Sequence, residues 1–155
     1  NFFEIRISIK KNDYDDIINF DTLSRLLIEA KNQCKETLKA KKIIHMIIEN
    51  YQINEKNYFS LPQNLKNDNL SLDIKYICLS NDLIKSLEDI IGKYQISVDQ
   101  IVSSDYIKKF FNNNEESIFK NAQKIINGYN QNEISLVKKI PQNKGFFEKF
   151  FNFFS

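Results

Sequence analysis

The chain has 155 residues, 42% of them hydrophobic and 27% charged, enough for one domain with a genuine core and a tail. Net charge is +2 with acids and bases interspersed, which argues against the one-sided basic surface of a duplex binder, so no nucleic-acid partner is expected. No stretch approaches about 18 uninterrupted apolar residues, and the first residues lack a basic region and a cleavage site, so neither a spanning helix nor a signal peptide is expected.

Phe3 to Ile9 alternates apolar and polar, the period of a half-buried strand, and Lys10 to Asp16 reads as a charged connection. Asp21 is a suitable N-cap for a helix whose core face is Leu23, Leu26, Leu27, Ala30 and Cys34. A second strand is expected over Ile43 to Ile53, then a polar turn region over Asn64 to Asn69. Leu70, Leu72, Ile74, Tyr76 and Cys78 alternate with Ser71, Asp73, Lys75 and Ile77 in the clearest strand of the sequence.

Ser80 or Asn81 caps the next helix, with Ile84, Leu87, Ile90 and Ile91 as its expected core face and Gly92 at its end. Ile96 to Val102 reads as a short fourth strand. From Asp105 to about Asn127 two helices are expected, separated at Asn112-Asn113-Asn114. Gln131 to Asn143 reads as a linker. Incomplete alternation of strands and helices points to an α+β fold: a three- to four-stranded, mainly antiparallel sheet with two packed helices, followed by further helices.

Absent residue types bound the chemistry. His45 is the sole histidine, and its apolar strand context suits a satisfied structural side chain. Gly92, Gly128 and Gly145 are scattered singly, so no glycine-rich phosphate loop can form and no cofactor is expected. Acidic pairs such as Asp15-Asp16 and Glu115-Glu116 fall in polar segments and read as solvated surface. Cys34 and Cys78 form no C-x-x-C pair and read as small buried hydrophobes. A non-enzymatic chain is expected.

The most informative stretch is Lys144 to Ser155. It holds six of the chain's 13 phenylalanines: Phe146, Phe147, Phe150, Phe151, Phe153 and Phe154. On a helix these rings fill one arc of roughly 160°, with Glu148, Lys149 and Asn152 opposite. Such a face suits a bilayer interface, and Lys138, Lys139, Lys144 and Lys149 add attraction to anionic lipid. The expected membrane-binding residues are Lys144, Lys149 and the six phenylalanines. Docking onto the chain's own domain or into a protein groove, and an aggregation-prone end, are the alternatives.

Ile43-Ile44-His45-Met46-Ile47-Ile48-Glu49-Asn50-Tyr51-Gln52-Ile53-Asn54 resembles a conserved run of the bacterial cell-division protein family FtsA. The likeness continues through Pro62, Leu70 to Ser80, Leu83 to Gly92 and Val98-Asp99-Gln100-Ile101-Val102, with Asp21 to Lys35 upstream. Ile5 to Ser103 resembles that family's 1C subdomain, a strand-helix-strand-strand (SHS2) module. Glu115 to Tyr129 resembles the last helix of its actin-like core, and the Phe-rich stretch its membrane-targeting helix.

The resemblance implies an SHS2-like domain over 1–104, a helical connector over 105–130, a linker over 131–143 and an amphipathic membrane-targeting helix over 144–155. It also implies a peripheral adaptor on the cytoplasmic side of the inner membrane, at the division site. Its partners would be membrane lipids and division-complex proteins, with room for self-association. Docking would use a sheet edge or the face carrying Tyr58, Tyr76 and the Asn64–Asn69 loop. The family's phosphate loops and its FtsZ-gripping subdomain have no counterpart in this sequence, Ile48 replaces a strand proline, and Asn67 stands where a glycine is usual. ATP binding and FtsZ tethering are therefore not implied. A pilus or secretion adaptor of the PilM type, and a decayed remnant, are the rival expectations.

Overall fold

The structure is a computed structural model that describes residues 2–17, 20–62, 66–112 and 116–134, with backbone alone at 12–17, 20 and 66–68. Its elements are β1 (Phe3–Ile17), α1 (Phe20–Gln33), α2 (Lys35–Leu38), β2 (Lys41–Ile53), β3 (Lys56–Tyr58), β4 (Lys66–Ser80), α3 (Asn81–Gly92), α4 (Ser104–Phe110) and α5 (Ile118–Ile126). The strands form one antiparallel sheet in the order β1-β4-β2-β3. The fold is α+β.

Alternation builds the main core. Leu70, Leu72, Ile74, Tyr76 and Cys78 all face one side of β4 and are fully buried there. Ile5, Ile7 and Ile9 of β1 join them on the same side. Against this face α1 lays the stripe Leu23, Leu26, Leu27 and Ala30, spaced to recur on one side of a 3.6-residue helix, with Cys34 just beyond its end. Cys34 and Cys78 are free and buried, and burial pushes the Cys78 thiol up to about 11.

The opposite face of the sheet is covered only near one end. There Ile47 of β2 and Ile77 of β4 meet Tyr106 and Ile107 of α4 and Ile125 of α5. Farther along, that face is polar. Arg6 Nε lies 3.1 Å and Lys75 Nζ 2.8 Å from the two oxygens of Glu49, an ion triad running across three strands. Desolvation works to raise the Glu49 carboxyl, but the hydrogen bonds and charges of Lys75 and Arg6 outweigh it and hold it below its ordinary value.

β2 does not alternate in sequence because two bulges change its parity. Register shifts fall between Ile43 and His45 and between Ile48 and Asn50. Ile43, Met46, Ile48, Tyr51 and Ile53 therefore all reach the α1 side, while His45 and Ile47 turn to the α4 side. Asn54 and Glu55 then close a two-residue hairpin with φ of 46° and 66°, the positive values that a type I′ turn requires.

Several sequence expectations need correction. Lys10 to Asp16 is not a connection but the second half of β1, paired with β4 as far as Ile17↔Lys66. Asp21 lies within the first turn of α1 rather than ahead of it. Ile96 to Val102 is no strand; the segment that joins the edge of β2 at Met46–Ile48 is Asn132–Ile134. The fourth strand is β3.

Ser80 caps α3 by accepting from the Leu83 N–H at 3.1 Å, and Gly92 ends that helix, as its sequence implies. The expected break separates α4 from α5, with Asn112 at a φ of 47°.

Tyr76 is wholly buried, so it belongs to the core and not to a docking face. Its hydroxyl has no hydrogen-bond partner among the described residues, and burial pushes the phenol well above its ordinary range. An unsatisfied buried hydroxyl is a net cost, so Tyr76→Phe is expected to stabilise the fold by about 1 kcal/mol. The check is a higher urea midpoint with an unchanged slope.

Candidate functional site

His45 anchors the most organised polar cluster of the molecule. The bulge after Ile43 aims its ring at α4, where it is 3% exposed. The Ser103 N–H donates to its Nε2 at 2.9 Å, so that nitrogen carries no proton. The proton is then on Nδ1, which donates to Glu133 Oε1 at 2.6 Å.

Around this pair the other partners close a network. The Tyr106 hydroxyl donates to Glu133 Oε2 at 2.7 Å and accepts from Asn130 Nδ2 at 2.7 Å. Asn130 Oδ1 in turn accepts from the Asn132 N–H at 3.0 Å. The Tyr106 ring lies 4.7 Å from the imidazole, and its phenol is pushed far up, by burial first and by the Glu133 charge besides. Ser103 also caps α4, its hydroxyl accepting from the Tyr106 N–H.

A carboxylate-backed histidine is half of an acid–base device, but here the second nitrogen is spent on a backbone amide. No lone pair is left to take a proton from a substrate, and the ring is sealed from water. The arrangement does structural work instead. It ties α4 and residues 130–134 to β2, beside an antiparallel bridge between Ile47 and Glu133. Tyr106, Asn130 and Glu133 were not singled out from sequence. The available signal was a lone histidine in an apolar run, which needs partners that sequence distance conceals.

α3 is the second feature. Of its expected core face only Ile84 is buried; Leu87 is 38% and Ile90 56% exposed, a correction to the sequence reading. Placed at 100° per residue, Leu83, Ile84, Leu87, Ile90 and Ile91 span roughly 120°. Only one margin of that arc, Ile84 and the half-buried Ile91, is covered, and the rest is left to solvent. Tyr94 and Ile96 extend the exposed strip, at 75% and 59%.

No protein-family model matches the chain, and no curated protein matches it. Among the described residues no group of three or more His, Cys, Asp or Glu side chains could hold a metal ion. No described helix is long and apolar enough to cross a membrane. The expected membrane-binding residues, Lys144, Phe146, Phe147, Lys149, Phe150, Phe151, Phe153 and Phe154, lie outside the described residues.

Proposed function

We propose that this chain is an FtsA-like adaptor without enzymatic activity or nucleotide binding. It attaches peripherally to the inner face of a bacterial cytoplasmic membrane and docks division proteins there. The observation that carries the reading is the phenylalanine arc of residues 146–154, joined to the ordered likeness running from Ile5 to Ser103. Three further features agree with it. The long elements follow the succession strand, helix, strand, strand, with β3 a short addition to the hairpin. The sole histidine is committed to structure on both ring nitrogens. The domain carries exposed apolar surface of the kind that partners cover.

Energetics make the attachment reversible. Full burial of one phenylalanine is worth about 1.5–3 kcal/mol and interfacial burial less, while ordering each residue costs about 1 kcal/mol. Six partly buried rings leave a modest surplus, which lysines and clustering of copies increase. Sedimentation with anionic vesicles tests this. The full chain should pellet, and the full chain bearing Phe150→Asp and Phe154→Asp should lose at least about tenfold in apparent affinity. Equal pelleting of the two removes the membrane reading.

A further inference from the structure

The exposed strip of α3 needs an occupant, and the path of the chain supplies one. Ile134 N–H donates to Met46 O at 2.8 Å, Ile48 N–H donates to Asn132 O at 2.9 Å, and Glu133 bridges Ile47 in antiparallel sense. Residues 132–134 therefore run opposite to β2 and head toward its start at Lys41. Lys41 pairs with Ser80, and the Asn81 N–H reaches Ala40 O at 3.0 Å. α3 leaves the sheet from that same end, the end toward which residues 132–134 run.

The reach suffices. From Met46 to Lys41 is about 17 Å along the strand. Residues 135–145 can span up to about 36 Å when extended, which brings Phe146 past that end of the sheet. Charge favours the same seat. α3 carries Asp82, Glu88 and Asp89 against Lys85, whereas the stretch from 138 to 149 carries Lys138, Lys139, Lys144 and Lys149 against Glu148. Three acids on α3 disfavour an anionic lipid surface as its cover and suit a lysine-flanked apolar segment.

We infer that the Phe146–Phe154 segment docks, within one chain, on the strip formed by Leu83, Leu87 and Ile90 of α3 with Tyr94 just beyond it. Rings meet an aliphatic strip, Leu83, Leu87 and Ile90, spaced i, i+4, i+7 along the helix. Docking and lipid binding then use the same rings and exclude each other. The seat itself is a lipid-free state and stands whether or not the membrane reading does.

Amide hydrogen exchange on the full chain in dilute, lipid-free solution tests this, with light scattering reporting mass. Amides from Leu87 to Tyr94 should exchange at least about tenfold faster when Phe150→Asp and Phe154→Asp are introduced, with β4 and α1 amides unchanged. The protection should be the same after tenfold dilution. In a second measurement, Ile90→Cys with Phe150→Cys should form a disulfide in the monomer under mild oxidation, since Cys34 and Cys78 are buried. Identical α3 exchange in the two chains overturns the inference, as does protection that fades on dilution from a doubled mass. Should the Phe variant prove unfolded, failure of the monomeric disulfide alone overturns it. Adding anionic vesicles separates the two readings: protection without vesicle binding keeps the seat and discards the anchor.

Discussion

Replacing His45 by alanine is expected to destabilise the fold by about 3 kcal/mol, a large share of the 5–15 kcal/mol that a domain of this kind holds. The side chain, itself 3% exposed, satisfies two groups, the Ser103 N–H and the Glu133 carboxylate. Removing it strands the Ser103 N–H and takes away one donor from the Glu133 carboxylate, whose side chain is 13% exposed. A largely enclosed carboxylate deprived of a donor costs more than the lost bond itself. His45→Leu separates volume from polarity: it keeps the size and should recover less than about 1 kcal/mol of the loss. Urea unfolding followed by two probes is the measurement. Full recovery by leucine would show that the imidazole acts as filler and that the hydrogen bonds around it contribute little.

That network also marks the limit of what sequence patterning reveals. β4, α1 and the first half of β1 were legible because each buries one face, so their apolar residues recur at period 2 or 3.6. β2 was legible as a strand but not in its facing, since two bulges put Ile43 on the same side as Met46 and Ile48. β3 is three residues long and its hairpin turn is Asn54-Glu55, without the glycine that usually announces such a turn. The segment 96–102 has strand-like composition but pairs with no strand, because composition sets the propensity of a segment and not its partner.

α3 misled in a more instructive way. Its apolar arc is wide enough to be a core face, and periodicity cannot say how much of an arc the fold will cover. Glu133 was invisible for the opposite reason: a lone carboxylate in a polar stretch carries no periodic signature. Only the register of 132–134 along β2 brings it to His45, 88 residues away in sequence.

Leu27→Ala should cost about 3 kcal/mol, the range found for leucines removed from rigid cores, where the loss adds a cavity to the lost transfer energy. Leu27 is 1% exposed at the centre of the α1 stripe, facing the β4 row from Leu70 to Cys78. The exposed charges of α1, Asp21, Arg25 and Glu29, lie on its outer side, and the buried stripe faces the sheet. The helix cannot sink into the gap, because Leu23, Leu26 and Ala30 already rest against the sheet on either side. The loss should therefore appear as a lower urea midpoint and as a uniform fall in amide protection across β2 and β4, the two central strands. A cost below about 1 kcal/mol would mean that the helix readjusts over the strands. A fall confined to α1 would mean that the sheet keeps its order without its cover, which the buried row Leu70, Leu72, Ile74, Tyr76 and Cys78 of β4 makes energetically untenable in water.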